Sequence, residues 1–195
     1  KQIKDNAVSA SKWLRTQYNF NTKWADEGMR NSHLLAVAPN SSSALVCGSV
    51  SQGIEPTYKN VFVQGSPSGE INRINPVLVK LMKEKDVYST ETIDQIIKDN
   101  GSVQLVDWLT DEEKVVFKTS FEINQEILVR LASGRQRYIC QAQSLNLFFP
   151  SSTTEAEISR VHKIAFKDKY IKSLYYLRSE AGVRGSSGEC VACEG

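Results

Sequence analysis

The residue types best suited to redox chemistry lie in the last two dozen positions of the chain. Cys190 and Cys193 form a Cys-x-x-Cys pair near the end, within a Gly- and Ser-rich stretch over residues 179–195. A close thiol pair can form a disulfide, and a flexible tether lets it reach a buried redox site and then an external reductant. The same pair is also compatible with half of a zinc site or with two cysteines that are simply exposed.

An adjacent pair of tyrosines, Tyr175 and Tyr176, precedes this stretch in Ser-Leu-Tyr-Tyr-Leu-Arg. Tyrosine can lose an electron and a proton together, although paired tyrosines on a strand are more often packing aromatics. Neighbouring side chains of a regular strand point to opposite faces, so these two rings can stack only where the strand is irregular. We therefore predict a distortion or a strand end at this pair.

A Ser-rich turn is the third candidate site and consists of Pro39, Asn40, Ser41, Ser42 and Ser43. It follows an apolar run over residues 33–38, which we interpret as a strand buried on both faces, and it leads into a short helix. Backbone N–H groups and hydroxyls at the carboxyl end of a parallel strand favour an anion such as phosphate. Ser-rich turns are also common as helix caps, so the motif alone leaves both readings open.

Composition and charge set the class of protein. The chain has 195 residues, 41% of them hydrophobic, and a net charge of +2 spread over interspersed charges. This favours one compact domain and predicts no nucleic-acid partner and no membrane association. Without a secretory leader pattern, a cytoplasmic location is expected, and Cys47 and Cys140 are interpreted as buried small hydrophobes. The absence of an initiator Met suggests a piece of a larger protein.

Helical and strand-like patterns alternate along the chain. Helices are predicted over residues 3–14, 76–85 after the Asn75 cap, 89–100 before Gly101, 124–132 ending near Gly134, and 154–170, and a capping box at Thr110 and Glu113 indicates a further helix start. Strands are predicted over residues 33–38, 143–149 and 173–177. Strand-helix-strand units of this kind indicate an α/β fold with a parallel sheet or barrel, and residues 87–121 read as a helical excursion.

Several motifs occur in a specific order along most of the chain. They are Met29-Arg30-Asn31-Ser32, the Ser-rich turn, Gly53-Ile54-Glu55-Pro56, Asn60-Val61-Phe62, Ser68-Gly69-Glu70, Asn75-Pro76, Gln143-Ser144-Leu145-Asn146 and Tyr175-Tyr176-Leu177-Arg178. This ordered series resembles the C-terminal part of class I ribonucleotide reductase large subunits. The resemblance implies the C-terminal part of a ten-stranded α/β barrel over residues 1–178, completed by an N-terminal partner polypeptide, and a flexible redox tail over residues 179–195.

The resemblance also implies an activity, the conversion of ribonucleoside diphosphates to deoxyribonucleoside diphosphates by a radical mechanism. It implies that residues 39–43 hold the substrate phosphates and that Tyr175 and Tyr176 relay the radical. It further implies that Cys190 and Cys193 reduce the active-site disulfide and are themselves reduced by thioredoxin or glutaredoxin.

The expected partners follow from the same resemblance. The radical would come from a metal/tyrosyl-radical centre in a separate small subunit, so no cofactor is expected in this chain. The family's Asn-x-Cys-x-Glu motif does not occur in the sequence. Catalysis is therefore expected to require the N-terminal part of the large subunit as well, and the chain alone is expected to be inert. The alternative from another class is a stand-alone α/β module that binds a phosphorylated ligand and carries a regulatory terminal thiol pair.

Overall fold

The computed structural model describes residues 1–18, 28–48, 50–66 and 69–180. Cys190, Cys193 and the rest of the predicted tail beyond residue 180 lie outside the described residues. The elements in chain order are α1 (Gln2–Tyr18), α2 (Ser41–Val46), β1 (Val61–Ser66), β2 (Gly69–Ile74), α3 (Pro76–Glu84), α4 (Thr90–Lys98), α5 (Asp111–Val116), a short 3-10 turn (Ser120–Glu122), α6 (Gln125–Gln136), β3 (Leu147–Phe149), α7 (Glu155–Lys167) and β4 (Leu177–Ser179).

Capping residues start the helices where the sequence places them. The Asn75 side chain accepts the N–H of Val77 at 3.0 Å, directly before the first residue of α3. Thr110 and Glu113 form a reciprocal capping box at α5. Because the first turn of a helix has N–H groups without intrahelical acceptors, these side chains define the helix starts. The predicted helix starts are therefore confirmed to within a few residues.

Glycine at position 101 allows the chain to turn sharply after α4. Gly101 has φ of +81°, and a Cβ there would lie 2.6 Å from the Cβ of Lys59 and 2.8 Å from the carbonyl oxygen of Val61. Its carbonyl oxygen also accepts the N–H of Asn60 at 2.9 Å. A side chain at this position would meet both backbone strain and a direct clash.

An apolar core lies between the β1–β2 hairpin and the helices that follow it. The hairpin is antiparallel, with Val61 opposite Ile74. The buried members of this cluster are Val61, Leu78, Met82, Ile96, Val103, Val106, Leu109 and Phe117. The sequence patterns predict the helices of this region but not the hairpin.

A second cluster packs α6 and α7 against β3. It contains Val129, Leu147, Phe149, Val161 and Ala165, all buried. β3 pairs with β4 in parallel, and α7 connects them. The parallel strand-helix-strand unit predicted from the sequence is therefore confirmed, although no closed sheet occurs among the described residues.

Several predicted boundaries are wrong. Residues 33–38 form a single bridge at Val37 instead of a strand buried on both faces, because only the segment around Gln143 pairs with them in the described chain. β4 begins at Leu177, after the predicted strand 173–177 has nearly ended. α6 continues through Gly134 to Gln136, since one glycine is tolerated where the flanking helix packs on β3.

Two absences can be stated for the described part of the chain. None of its helices is long and apolar enough to cross a membrane. Within the same ranges, no three His, Cys, Asp or Glu side chains cluster in a way that would hold a metal ion.

Candidate functional site

Three extended segments lie side by side and carry the candidate residues. Val37 of the first segment forms a parallel bridge with Gln143 of the second, which continues into β3. The third segment contains Tyr175 and Tyr176 and continues into β4, which pairs in parallel with β3. The structure therefore brings the Ser-rich turn and the tyrosine pair to opposite sides of residues 143–149.

The Ser-rich turn leads directly into α2. Ser41 is the first helical residue, and the carbonyl oxygen of Asn40 accepts the N–H of Ala44 at 2.8 Å. Ala44 is buried, whereas Pro39, Asn40 and Ser43 are exposed. The N–H groups of a first helical turn have no acceptor within the helix. The turn thus combines an anchored backbone with exposed donor groups, as an anion site requires.

The rings of Tyr175 and Tyr176 are in direct contact. Their centroids lie 4.1 Å apart with an angle of 48° between the planes. The pair immediately precedes the first residue of β4, so the predicted strand irregularity at this position is confirmed. The Arg178 guanidinium lies 5.3 Å from the centre of the Tyr176 ring, at a distance where a cation is attracted to the ring face.

Backbone hydrogen bonds show how adjacent tyrosines come to share a side. The N–H of Tyr175 donates to the carbonyl oxygen of Leu145 at 2.8 Å. The N–H of Leu147 donates to the carbonyl oxygen of Tyr176 at 2.9 Å. In a regular parallel ladder, the single residue opposite Asn146 would donate its N–H to Leu145 and accept the N–H of Leu147. Here Tyr175 makes the first bond and Tyr176 the second. This is the arrangement of a β-bulge, which places one extra residue on one strand and bends it locally.

A buried carboxylate lies on the other side of Asn146. Glu55 is 5% exposed, and its Oε1 accepts the backbone N–H of Asn146 at 2.7 Å. Its Oε2 accepts the Asn146 side-chain amide at 3.3 Å. Asn146 Oδ1 in turn accepts the N–H of Tyr176 at 3.3 Å. Glu55 therefore connects to the tyrosine pair through one residue and acts as an acceptor of both backbone and side-chain hydrogen bonds.

A second polar network supports the same segment. The Gln143 side chain donates to the carbonyl oxygen of Ala132 at 2.8 Å and to Gln136 at 3.0 Å, and it accepts from Arg135 Nε at 3.1 Å. Burial lowers the pKa of Arg135 below its ordinary value, and the negative charge of Glu55 opposes that shift. These bonds fix the middle segment against α6.

Sequence reasoning names neither Asn146 nor Gln143 as a site residue. The available signal was their polarity inside an otherwise apolar strand. A buried amide must find partners, which predicts a network without saying which residues complete it.

The two described cysteines are exposed, so the interpretation of Cys47 and Cys140 as buried small hydrophobes is wrong. The Cys140 sulfur instead accepts the N–H groups of Leu34 and Leu35 at 3.0 and 3.1 Å. Partial burial raises the pKa of the Cys140 thiol, but these backbone N–H groups outweigh that effect and the net shift is downward. Hydrogen bonding, which the sequence cannot show, decides the environment of this sulfur.

Comparisons with known proteins agree with this geometry. The family model "Ribonucleotide reductase, barrel domain" matches residues 4–177. A solved structure of the class Id ribonucleotide reductase alpha subunit of Actinobacillus ureae superposes with a TM-score of 0.79 at 33% identity, covering 97% of this chain and 33% of that one. The chain therefore belongs to the ribonucleotide reductase barrel-domain family and has its α/β barrel type of fold.

Sequence relatives narrow the likeness to one subunit. The ribonucleoside-diphosphate reductase large subunit of Invertebrate iridescent virus 3 is 43% identical over 78% of this chain, which corresponds to 24% of that protein. The large subunit of Danio rerio is 35% identical over 82% of this chain and 20% of its own length. The chain is thus similar to the C-terminal portion of class I large subunits and spans about a quarter or less of these two relatives.

Proposed function

We propose that this chain is the C-terminal part of a ribonucleoside-diphosphate reductase large subunit and acts in the reduction of ribonucleoside diphosphates. Its contribution is the substrate-phosphate turn, the tyrosine relay and the tail dithiol. The observation that carries the proposal is the contact between the Tyr175 and Tyr176 rings, at 4.1 Å between centroids. Aromatic side chains that serve only in packing do not require a β-bulge that brings two neighbouring rings into contact.

Radical transfer through this pair moves one electron and one proton at each step. A phenoxyl radical on the first tyrosine takes both from the phenol of the second, so the first becomes a phenol and the second a phenoxyl. The second then takes an electron and a proton from a cysteine thiol supplied by the N-terminal part of the subunit. The radical enters from the small subunit, whose metal/tyrosyl-radical centre supplies the oxidising equivalent.

Substrate binding is assigned to the Ser-rich turn over residues 39–43. The exposed Ser43 side chain and the N–H groups at the start of α2 suit the oxygens of a diphosphate. The turn and the tyrosine pair flank the same central segment, which supports a shared reaction site. Val37, two residues before the turn, and the tyrosine pair are each joined to that segment by backbone hydrogen bonds.

The terminal dithiol is assigned to regeneration. Cys190 and Cys193 would be oxidised to a disulfide as they reduce the active-site disulfide, and thioredoxin or glutaredoxin would return them to the dithiol. Both cysteines lie outside the described residues. The supporting observation is that β4 begins directly after the tyrosine pair and ends at Ser179, so the two cysteines follow the pair closely along the chain.

The exposed apolar side chains support a partner polypeptide. In α1, Ser11 is the one buried residue, while Ile3 and Trp13 are 73% and 59% exposed. Leu177 of β4 is also 47% exposed. Uncovered apolar surface of this kind favours association with the rest of a barrel. We therefore propose that residues 1–178 complete a barrel with the N-terminal part of the subunit.

Phenylalanine substitutions of the tyrosines test the relay. In the assembled enzyme with its small subunit, Tyr175→Phe and Tyr176→Phe should each abolish turnover of a ribonucleoside diphosphate while leaving its binding unchanged. Phenylalanine keeps the ring but has no phenolic proton to transfer. Multiple turnovers by either variant would refute the relay.

Serine substitutions of the tail cysteines test regeneration separately. Cys190→Ser or Cys193→Ser should block turnover that depends on thioredoxin, yet leave about one round of product from pre-reduced enzyme. Full thioredoxin-dependent turnover in these variants would remove the tail from the proposal without affecting the relay.

A further inference from the structure

The bulge at the tyrosine pair places one backbone N–H group outside the hydrogen-bond ladder between the strands. The Tyr175 N–H donates to the Leu145 carbonyl oxygen, and the Tyr176 carbonyl oxygen accepts the Leu147 N–H. The Tyr176 N–H therefore takes no part in the backbone hydrogen bonds between the two strands. It donates instead to Asn146 Oδ1 at 3.3 Å. A donor left unpaired inside a protein is costly, so this side-chain bond favours the bulged arrangement over a regular strand.

The Glu55 carboxylate sets the direction of that side-chain amide. An ionised carboxylate can only accept hydrogen bonds, so the Asn146 Nδ2 group must face it and Oδ1 must face the other way. The bond from the Asn146 backbone N–H to Glu55 Oε1, at 2.7 Å, holds the two residues together. Asn146 is therefore fixed with its acceptor toward Tyr176.

The surroundings of Glu55 keep the carboxylate in place. The residue is 5% exposed, and its own carbonyl oxygen accepts the Ser51 hydroxyl at 2.5 Å. A Cβ at Gly53 would lie 2.7 Å from Glu55 Oε2, so the carboxylate occupies space that any other residue at 53 would fill. The positive charge of Arg135 acts on Glu55 from the α6 side.

From this chain of contacts we infer that Glu55 and Asn146 are positioning residues for radical transfer. The Glu55 carboxylate orients the Asn146 amide, the amide oxygen holds the Tyr176 N–H, and the bulge so held keeps the two tyrosine rings in contact. Neither residue exchanges an electron or a proton with substrate. The inference rests on the proposed tyrosine relay.

Glu55→Gln in the assembled enzyme with its small subunit is the central test. The new amide keeps one acceptor for the Asn146 N–H but turns an NH₂ group toward Asn146 Nδ2. The Asn146 side chain should flip to avoid two facing donors and present its own NH₂ to the Tyr176 N–H. We expect kcat to fall roughly 10- to 100-fold with the KM for the ribonucleoside diphosphate unchanged.

Hydrogen exchange at the Tyr176 amide gives a readout that is independent of turnover. In Glu55→Gln this N–H loses its acceptor, so we expect its exchange to accelerate by about tenfold or more. Asn146→Ala removes the acceptor outright and should show the same acceleration. Since exchange is measured on folded protein, it remains informative if that variant is too unstable for kinetics.

Asn60→Ala is the matched control for lost stability. Asn60 is 1% exposed and donates to the carbonyl oxygen of Phe117, a member of the first apolar core, at 2.8 Å. It should lower the melting temperature without changing Tyr176 exchange or the kcat of the folded enzyme. An equal loss of kcat in Asn60→Ala would show that the effect of Glu55→Gln reflects stability, which would overturn the inference.

The remaining outcomes separate this inference from the proposed function. Normal kcat and normal Tyr176 exchange in Glu55→Gln, with Tyr176→Phe inactive, would overturn the inference and leave the relay standing. A raised KM with unchanged kcat would assign Glu55 to substrate binding and also overturn it. Full turnover in Tyr176→Phe would overturn both.

Discussion

Two regions of this molecule are built on different physical principles. The helical region from β1 to Phe117 encloses a core of apolar side chains, with Leu78, Met82 and Ile96 fully buried. The helical region also buries the neutral side chain of Asn75, whereas the region of the three extended segments buries a carboxylate, Glu55, together with Gln143 beside its apolar cluster. The first region resembles an ordinary domain core, whereas the second carries the candidate site.

The two regions differ in whether their stabilising interactions depend on direction. Apolar burial is non-directional and roughly proportional to area, so it provides stability with modest demands on geometry. Buried hydrogen bonds fix orientation, and each unpaired member is costly. Contact between two adjacent tyrosine rings needs a defined backbone distortion, so the polar network lies where the chain must hold an irregular conformation.

The largest effect is expected in the apolar region. Ile96→Ala should lower the free energy of unfolding by about 2–5 kcal/mol, because it removes buried methyl groups and leaves a cavity. The kcat of the folded enzyme should stay unchanged. Ile97→Ala, one position along α4 and 37% exposed, is the control and should cost much less. Chemical denaturation of both variants measures the comparison, and equal costs would contradict it.

A smaller loss of stability with an added loss of activity is expected in the polar region. Gln143→Ala removes the hydrogen bonds to the Ala132 carbonyl oxygen, Gln136 Oε1 and Arg135 Nε, which should cost about 1–3 kcal/mol. Because Gln143 fixes the segment that continues to Asn146, kcat should fall too. Gln17→Ala on exposed α1 is the control. A Gln143→Ala enzyme with unchanged kcat would show that the two networks are independent.

Helix capping should contribute less to the free energy of unfolding than the apolar core or the buried polar network. Thr110→Ala removes the side-chain acceptor for the Glu113 N–H and half of the capping box, so we expect a cost of about 1 kcal/mol. Thr90→Ala, in the first turn of α4, keeps the Ser89 cap and should be close to neutral. Thermal melting of both variants checks this, and matching melting temperatures would contradict the capping role.

The smallest effect is a dependence on pH at the same cap. The Thr110 N–H and then Lys85 hold the pKa of Glu113 below its ordinary value of 4.5, so the fold favours the ionised form. The resulting stabilisation is present above pH 4.5 and is lost as the pH falls through the lower folded pKa. The stability advantage of wild type over Glu113→Gln should therefore be full near about pH 7 and should shrink as the pH falls below 4.5. An equally large stability difference between wild type and Glu113→Gln in acid would contradict this role of the Glu113 carboxylate.

Much of the fold follows from short-range patterns. Asn75 before Pro76, Ser89 at α4 and the Thr110–Glu113 pair place helix starts correctly, because a cap bonds to groups within a few residues. Strand limits at residues 33–38 and 173–177 are wrong, since pairing depends on distant segments. The hairpin of β1 and β2 is missed for the same reason.

The sequence by itself determined the family, the helix starts and the irregularity at Tyr175 and Tyr176. The last follows from local geometry, since neighbouring side chains on a regular strand cannot share a face. Only the tertiary structure decided how that irregularity is held. Glu55 and Asn146 are 91 positions apart, and only folding brings the carboxylate within 2.7 Å of the Asn146 N–H. Bonds of that sequence separation leave no periodic pattern, so the sequence marks the tyrosine pair and the fold supplies its support.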